Sequence, residues 1–348
     1  MTARVAVDAL GSDHGLPVVV EGALRASRRP GVAVSLVGPE RALGEAIARV
    51  GGDAGSLELA FAPEAVGMAE RVSLASLKKR SSIQVALERV RDGRADAFFS
   101  AGNTAACWTI AKHVLGTLAE VDRPALAALV PSRDGRTVVV DVGANAECNA
   151  RQLEEFAIMA NAYARGVLGI ARPRVGLMSL GEEETKGSEL VREAHERLKG
   201  SSLNFVGNVE GHDLFTGRVD VVVMDGFTGN VVLKASETAA ELVLELVRAA
   251  LPRGLTGALL SPFLRPAFEA VKRHSDPAEI GGVPLLGLRG ACVIGHGKSS
   301  ARAIEAGILT AASFYRSGVN AAIASELRTL GRGTASSEAE SPPLGASA

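Results

Sequence analysis

Six glycine-rich polar segments carry the residues of this chain that are best suited to chemistry, and each follows a short apolar stretch. They read DALGSDHG from Asp8, SAGNT from Ser100, DVGAN from Asp141, GEEETKG from Gly181, DGFTGN from Asp225 and GHGKS from Gly295. Small residues let a ligand approach the backbone, and the free N–H groups at a helix start attract anions. The set predicts a site for phosphate or another oxyanion, although any single segment could serve only as a strand-to-helix turn.

The residues that we expect at this anion site come from the same segments. They are Asp8, Gly11, Asp13, His14, Ser100, Gly102, Asn103, Thr104, Asp141, Gly143, Asn145, Asp225, Gly226, Thr228, Gly229, His296, Gly297, Lys298 and Ser299. Carboxylates repel phosphate, so we interpret the aspartates as positioning residues that accept hydrogen bonds from nearby N–H groups. His14 and His296 are either acid–base groups or structural histidines, and Lys298 either contacts phosphate or only faces solvent at a helix start.

None of these segments matches a nucleotide-binding fingerprint. The turn after the first strand lacks GxGxxG, and the GKS at Gly297 lacks the glycine five residues earlier, where Cys292 stands. No GxSxG nucleophile elbow occurs either. The sequence therefore disfavours a nicotinamide dehydrogenase and a serine hydrolase.

The elements that must position these segments alternate between short apolar runs and longer stretches of helical period, which predicts an α/β fold with a mostly parallel sheet. Expected strands lie at about 4–7, 33–37, 97–99, 127–130, 137–140, 175–178, 204–206, 219–224 and 291–294. Expected helices lie at about 16–28, 39–50, 81–92, 104–117, 151–168, 187–199, 229–251 and 298–317. Ligands of such sheets bind beyond the carboxyl ends of the strands, so we expect all six segments at one sheet edge.

Composition restricts the class of protein. The chain has 348 residues, with 38 basic and 39 acidic side chains, and a net charge of -1 disfavours nucleic-acid binding. The three cysteines give no disulfide framework and suit a reducing cytosol. Neither a signal peptide nor an apolar run of membrane-spanning length is recognisable. We expect a cytoplasmic protein with a single α/β domain over 1–330 and a disordered tail over 331–348.

In their order along the chain, these segments resemble the PlsX family, the acyl-ACP:phosphate acyltransferases of bacterial phospholipid synthesis. The resemblance extends from about residue 4 to 318, and its most specific motifs are DVGANAEC and DGFTGNVVLK. Further matching stretches are AVDALGSDHG, SAGNTAA, GEEETKG, VEGHDL, GGVPLLGLRG and HGKSSARAI. The chain departs from the family pattern at Leu10–Ser12, where the family has Met-Gly-Gly, and at Ala105, where it has glycine.

The resemblance implies transfer of a fatty acyl group from acyl carrier protein to inorganic phosphate, without a cofactor or a metal. It also implies a homodimer with the three-layer α/β/α sandwich of the phosphotransacetylase and isopropylmalate dehydrogenase group, from which a helical hairpin projects at about 240–275. Lys186 and Asn230 match positions that the family uses for catalysis. The acyl phosphate would supply a glycerol-3-phosphate acyltransferase, a further candidate partner.

This reaction suits the residues. Phosphate is itself the nucleophile, and a thiol with an ordinary pKa of roughly 8.5 leaves without strong acid help. Lys186 would neutralise phosphate or polarise the carbonyl, and Asn230 would donate to the oxyanion. The alternatives are that Lys186 pairs with a glutamate of Glu182–Glu184, that Asn230 only caps a helix, that Cys148 forms an acyl-enzyme, or that the three glutamates bind a divalent ion.

The expected hairpin is apolar, interrupted by proline, and basic. From Glu245 to Arg273 it has five Arg or Lys against two Glu, a local charge of +3. Such a segment suits peripheral contact with anionic lipid at the inner face of the cell membrane, or with the acidic carrier protein. For residues 230–250, the alternative is a helical pair that packs across the dimer. The expected contact residues are Leu255, Leu259, Leu260, Phe263, Leu264 and Arg265. A second candidate docking patch is Lys78–Arg80.

Two other functions stay open on the sequence. One is a phosphate acetyltransferase that uses acetyl-CoA. The other is a membrane-associated scaffold of lipid enzymes without catalysis, which would need neither Lys186 nor Asn230 nor the six polar turns.

Overall fold

One mixed β-sheet runs through the protein. The computed structural model describes residues 1–250 and 281–338, except 71, 74–76 and 78. Its strands are β1 (Ala3–Asp8), β2 (Val32–Gly38), β3 (Glu58–Phe61), β4 (Ala97–Ser100), β5 (Ala125–Ser132), β6 (Gly135–Val140), β7 (Val175–Met178), β8 (Phe205–Val209), β9 (Val221–Val223), β10 (Val283–Leu286) and β11 (Ala291–Ile294). In space their order is β3-β2-β1-β4-β11-β10-β5-β6-β9-β7-β8.

Helices cover both faces of this sheet. They are α1 (Leu16–Ser27), α2 (Glu40–Arg49), α3 (Ser82–Arg91), α4 (Thr104–Leu115), α5 (Ala150–Leu168), α6 (Glu189–Lys199), α7 (Asp213–Thr216), α8 (Gly226–Ala250), α9 (Ala301–Arg316) and α10 (Val319–Glu338). Alternate strand residues enter two separate cores: Val138 and Val140 lie in the core with α5, while Val139 lies in the other. Since a strand points successive side chains to opposite faces, the two cores make three layers, and the predicted α/β/α sandwich is confirmed.

The direction of the strands reverses in the middle of the sheet. β1, β2, β3, β4 and β11 are mutually parallel, and so are β6, β7, β8 and β9. Between these halves, β10 is antiparallel to β11 and β5, and β5 is antiparallel to β6. The carboxyl ends of the two halves therefore point in opposite senses along the strands.

The elements that the sequence left out are irregular at the local level. β3 is an edge strand that begins with Glu58, and β10 contains Pro284, so neither shows a clear apolar run. α10 starts at Val319, beyond the last expected helix, and continues to Glu338. The composition after Gly331 predicts disorder, yet the helix extends into this segment, since lengthening a packed helix costs less than starting one.

Part of the expected hairpin lies outside the described residues. α8 covers its first residues as helix up to Ala250, and the remainder falls in the range 251–280. All six expected contact residues, from Leu255 to Arg265, belong to that range, and the tail beyond Glu338 is likewise outside. In the described part of the chain, no helix combines the length and apolarity needed to cross a bilayer.

Candidate active site

The six polar segments form two groups of three. The turns after β1, β4 and β11 lie on adjacent parallel strands, and we call them the His14 cluster. The turns after β6 and β9 form the Asn230 cluster, and beside them the turn Ser179–Gly187, which follows β7, is the Lys186 turn. The expectation of one common edge is wrong, because β10 and β5 reverse the strand direction between the two groups. The two residues expected to be catalytic belong to the same group.

Asp141 organises the turn after β6 into a ring of backbone donors. Its Oδ1 accepts from the N–H groups of Leu126, Gly143 and Ala144 at 3.0, 3.2 and 3.0 Å. Its Oδ2 accepts from Asn145 N and Nδ2 at 2.7 and 2.9 Å. The carboxylate is fully buried, and this burial raises its pKa while the five donors oppose the rise. Asp141 thus holds the turn after β6 in place, and its role as a positioning residue in the site stays a prediction.

The first turn of α8 packs tightly on this ring. A Cβ at Gly229 would collide with the Asp141 carbonyl oxygen, and one at Gly226 would come within 2.8 Å of the Asn145 carbonyl carbon. Gly226 N also donates to the Asn145 carbonyl at 2.8 Å. Glycine at both positions therefore lets the helix start directly against the turn after β6.

Asp225, rather than Asn230, caps this helix. Its Oδ1 accepts from Thr228 N at 2.9 Å and its Oδ2 from the Thr228 hydroxyl at 2.7 Å, which is the pattern of an N-cap. Asn230 lies one turn into α8 and is exposed. A Cβ at Gly143 would stand 3.6 Å from Asn230 Oδ1, so the amide lies beside the ring of donors. The capping alternative for Asn230 is therefore wrong.

Lys186 is exposed at the end of its turn. Two of the glutamates that could have paired with it are engaged elsewhere: Glu182 pairs with Arg218, and Glu184 pairs with Lys199 at 2.9 Å. These exposed pairs lower the pKa of each glutamate, chiefly through hydrogen bonds from their cationic partners. Within the described residues, no carboxylate pairs with the Lys186 ammonium, which remains available to an anionic ligand.

Cys148 lies next to the Asn230 cluster as a protonated thiol. Its Sγ is 3.5 Å from the Asn145 carbonyl oxygen. Burial raises the pKa of the thiol to about 11, so almost no thiolate forms at neutral pH. Because the thiolate is the nucleophile, this environment disfavours an acyl-cysteine.

In the His14 cluster, a buried aspartate again fixes neighbouring turns. The Ser100 hydroxyl donates to Asp8 Oδ2 at 2.7 Å and accepts from Gly102 N at 3.0 Å. Leu10 N donates to Asp8 Oδ1 at 3.0 Å. Burial raises the pKa of Asp8, and a Cβ at Gly11 would lie only 2.6 Å from Oδ2 of this carboxyl. Asp8, Gly11, Ser100 and Gly102 are thus brought together.

The exposed part of the His14 cluster joins the turns after β1 and β11. Asp13 N donates to the Gly297 carbonyl at 2.9 Å, and the Ser12 hydroxyl donates to the same oxygen at 3.3 Å. His14 Nε2 lies 3.2 Å from the Lys298 carbonyl, which can only accept, so Nε2 carries the proton. Lys298 N donates to His296 Nδ1 at 3.1 Å, so that nitrogen carries none. One ring nitrogen of each histidine is thus hydrogen-bonded to the backbone of Lys298, whose side chain is exposed.

Asn103 has a structural use for both ends of its amide. Its Oδ1 accepts from Ala106 N at 3.1 Å and caps α4, which begins at the exposed Thr104. Its Nδ2 lies 3.0–3.2 Å from the carbonyl oxygens of Gly67, Met68 and Glu70. This amide therefore holds the segment 67–70 against the cluster. The adjacent docking candidate Lys79 is paired with Glu70 at 2.7 Å, and Lys78 is outside the described residues.

The remaining expected residues are placed by the same turns. Ser299 is buried and its N–H donates to the His296 carbonyl at 2.9 Å, one residue before the Ser300 cap of α9.

Among the described residues, no three His, Cys, Asp or Glu side chains gather as potential metal ligands. The three adjacent glutamates do not converge, because two of them face different cations.

Two buried polar residues near the Lys186 turn were missed by the sequence analysis. His195 on α6 and Asn208 on β8 are each only 3% exposed. The only signal was a polar residue within the apolar run FVGNV and a histidine on the apolar face of an otherwise charged helix.

Comparison with known proteins adds independent findings. A family model described as "Fatty acid synthesis protein" matches residues 3–322. The phosphate acyltransferase of Acidobacterium capsulatum is 48% identical over 325 residues, 92% of this chain and 96% of that protein. Those of Geobacter sulfurreducens and Aquifex aeolicus are 44% and 40% identical over 94% of this chain, and 94% and 97% of their own lengths.

Solved structures share the fold at low sequence identity. A phosphotransacetylase from Streptococcus pyogenes aligns with a TM-score of 0.61 and 16% identity, over 90% of this chain and 94% of that one. The EutD phosphotransacetylase from Staphylococcus aureus aligns with a TM-score of 0.58 and 15% identity, over 91% and 94%. At this identity the likeness shows fold alone. The family model and the curated relatives confirm the resemblance to PlsX, and the chain belongs to this family of fatty acid synthesis proteins.

Proposed function

We propose that this enzyme transfers a fatty acyl group from acyl carrier protein to inorganic phosphate, and that Asn230 and Lys186 act at the reacting atoms. Family membership supports the reaction, since relatives 40–48% identical are named phosphate acyltransferase. One observation supports the assignment of the site: within the described residues, neither side chain serves as a helix cap or belongs to an ion pair. Asn230 and Lys186 are exposed after the adjacent parallel strands β9 and β7, while neighbouring residues supply the cap and the ion pairs.

The reaction needs little from the protein beyond placement. A phosphate oxygen attacks the thioester carbonyl carbon, and the electron pair moves onto the carbonyl oxygen. The pair then returns, the C–S bond breaks, and the carrier's sulfur leaves as a thiolate that takes a proton from solvent. The carbonyl carbon stays bonded to the phosphate oxygen, which gives acyl phosphate.

Each side chain has a defined part in this sequence. The Asn230 amide would donate from Nδ2 to the developing oxyanion, and Lys186 would offset the charge of the attacking phosphate. The glycines at the start of α8 hold Asn230 close to the donors around Asp141. Cys148 takes no part as a nucleophile in this scheme, because its thiol stays protonated.

The His14 cluster remains a candidate for holding an anionic part of the substrates. Lys298 is exposed just before α9, and His14 directs its Nε2–H to the turn that bears this lysine. A helix start beside a lysine favours phosphate. The buried Asp8 of this cluster accepts hydrogen bonds from the Ser100 hydroxyl and from Leu10 N, so its role is to shape the turns.

We further propose a cytoplasmic homodimer that contacts the membrane peripherally. The exposed apolar side chains of α8, among them Leu242, Val243 and Leu246, support burial of this helix by a second copy. The apolar and basic segment at 253–268 supports contact with anionic lipid or with the carrier protein. Liposome flotation of Leu260→Glu/Phe263→Glu tests the lipid contact: unchanged association would exclude this segment as the anchor.

The substrate assay tests the reaction itself. Purified protein is incubated with phosphate and either a long-chain acyl carrier protein or acetyl-CoA, and acyl phosphate is trapped as hydroxamate. We expect phosphate-dependent product from the acyl carrier protein. Product from acetyl-CoA alone would support a phosphate acetyltransferase instead, and no product from either would support the scaffold.

A further inference from the structure

Two buried polar side chains support the Lys186 turn from beneath. His195 projects from α6 and Asn208 from β8, and each is only 3% exposed. Buried polar groups are costly unless they are hydrogen-bonded. Their partners therefore indicate which part of the structure they stabilise.

The two side chains form a chain of hydrogen bonds that ends at the Lys186 backbone. Asn208 Nδ2 donates to the Glu183 carbonyl oxygen at 2.8 Å. The same oxygen accepts from Lys186 N at 3.0 Å. His195 Nδ1 lies 2.9 Å from Asn208 Oδ1. The Glu183 carbonyl is thus fixed on one side by the buried pair and fixes Lys186 on the other.

The chemistry of the donors determines the direction of this chain. A carbonyl oxygen can only accept, so the NH2 end of Asn208 must face Glu183. The amide oxygen then faces His195, and Nδ1 of the imidazole must carry a proton. The ring of Phe205 packs edge to face on this imidazole, with centroids 5.1 Å apart and planes at 75°, which restrains its orientation.

The two side-chain ion pairs of the turn are weaker than this buried pair. Glu182–Arg218 and Glu184–Lys199 both lie at the surface. Exposed ion pairs contribute little because solvent screens them and flexible side chains must be ordered. Hydrogen bonds from Ser179 N to the Val209 carbonyl and from Arg192 to the Gly187 carbonyl hold the two ends of the turn. The buried pair is therefore a stronger restraint on the stretch from Glu183 to Lys186 than the two ion pairs.

We propose that His195 and Asn208 are positioning residues that hold Lys186 in place for acyl transfer. This inference rests on the proposed role of Lys186. Neither residue touches a substrate in the proposal. Both act through the Glu183 carbonyl, and His195 Nε2 also lies 3.7 Å from the Glu184 carboxylate of the same turn.

Variants can separate positioning from general stability. Asn208→Asp keeps the shape and the acceptor towards His195, but it replaces the donor towards Glu183 with a second acceptor. His195→Leu removes the donor to Asn208 together with the Nε2 contact to Glu184. His195→Asn retains an N–H close to the position of Nδ1 and removes only the contact to Glu184. Lys199→Gln, which breaks only an exposed tie, is the matched control.

Two readouts are measured on the full chain: amide hydrogen exchange of Lys186 and steady-state acyl phosphate formation. We expect Asn208→Asp and His195→Leu to speed this exchange about tenfold, the loss of one buried hydrogen bond. We expect kcat/KM to fall roughly 10- to 100-fold through misplacement of Lys186. His195→Asn should recover most of both effects, and Lys199→Gln should match the wild type.

The outcomes distinguish this inference from the proposed function. Unchanged Lys186 exchange in folded Asn208→Asp overturns the positioning, even where the wild-type enzyme makes acyl phosphate. Faster exchange with wild-type kcat/KM also overturns it, since the reaction would then not need the turn to be held. A wild-type protein that makes no acyl phosphate, with the exchange result as expected, would instead contradict the proposed function.

Discussion

Asp225 and Asn230 have different roles at the start of α8: Asp225 caps the helix, and Asn230 presents an exposed amide. Asp225 binds the N–H and the hydroxyl of Thr228, which satisfies the helix start. Because Asp225 is the cap, Asn230 is not needed as one, and its amide is exposed beside Gly143. Both residues stand in one short motif, and residue type alone could not tell which would cap the helix, since either aspartate or asparagine is a good cap.

The Cys148 thiol should react slowly with alkylating reagents. Its raised pKa of about 11 means that the thiolate appears only as the pH rises towards that value. At pH 8 we expect about 100-fold less thiolate than for a thiol with the ordinary value of 9.0, and correspondingly slow alkylation by iodoacetamide. Cys148→Ala should retain acyl phosphate formation.

The control for this prediction is the unfolded protein, in which the thiol should react at the ordinary rate. Mass spectrometry of the Cys148 peptide measures both rates. Rapid modification of the native protein at pH 8, together with an inactive Cys148→Ala variant, would favour an acyl-cysteine.

At the scale of elements, the contact between α8 and the turn after β6 determines where Asn230 lies. The donors around Asp141 make that turn rigid, and Gly226 and Gly229 let the helix backbone rest on it. A glycine in a helix normally costs stability relative to alanine. Here the close approach explains why glycine is needed.

Gly229→Ala tests this contact. The new Cβ would meet the Asp141 carbonyl, which is backbone and cannot swing aside, so the first turn of α8 must shift. We expect a loss of about 1–3 kcal/mol in the free energy of unfolding and a fall in acyl transfer. Urea unfolding and the hydroxamate assay measure the two effects.

The matched control is Gly44→Ala, in the exposed middle of α2. A Cβ there meets nothing within 4 Å, so helix propensity alone should stabilise the protein by up to about 1 kcal/mol. If Gly229→Ala behaved like Gly44→Ala, the tight packing of α8 on the turn would be refuted.

Local sequence patterns predicted most helices and strands, but not the strand pairing and side-chain contacts between elements that are far apart in sequence. The valine-rich strands β6 and β9 and the helix at α6 follow directly from their periodicity. β10 was missed because Pro284 interrupts it, and its antiparallel pairing depends on neighbours far away in sequence. The buried His195–Asn208 pair was missed for the same reason: its partners come from two elements and a turn.

At the scale of the whole molecule, the reversal of strand direction at β10 and β5 arranges the polar turns in two groups rather than one. β4 and β9 are five strand steps apart, and a twist of about 20–25° per step turns the sheet by roughly 100–125° between them. The six turns follow from the sequence pattern, and the α/β/α class implied by the family resemblance is confirmed. Their division into two groups could not be predicted from the sequence, because strand direction is a property of the assembled sheet.

In the proposed reaction, Asn230 and Lys186 act together on the thioester and the phosphate. The most direct measurement is acyl phosphate formation from acyl carrier protein and phosphate by Asn230→Ala and Lys186→Ala, with urea unfolding to show that each is folded. Loss of an oxyanion donor should lower the rate of Asn230→Ala about 10²–10³-fold, and we expect a comparable loss for Lys186→Ala. Turnover near the wild-type rate in either folded variant would contradict the role of that residue.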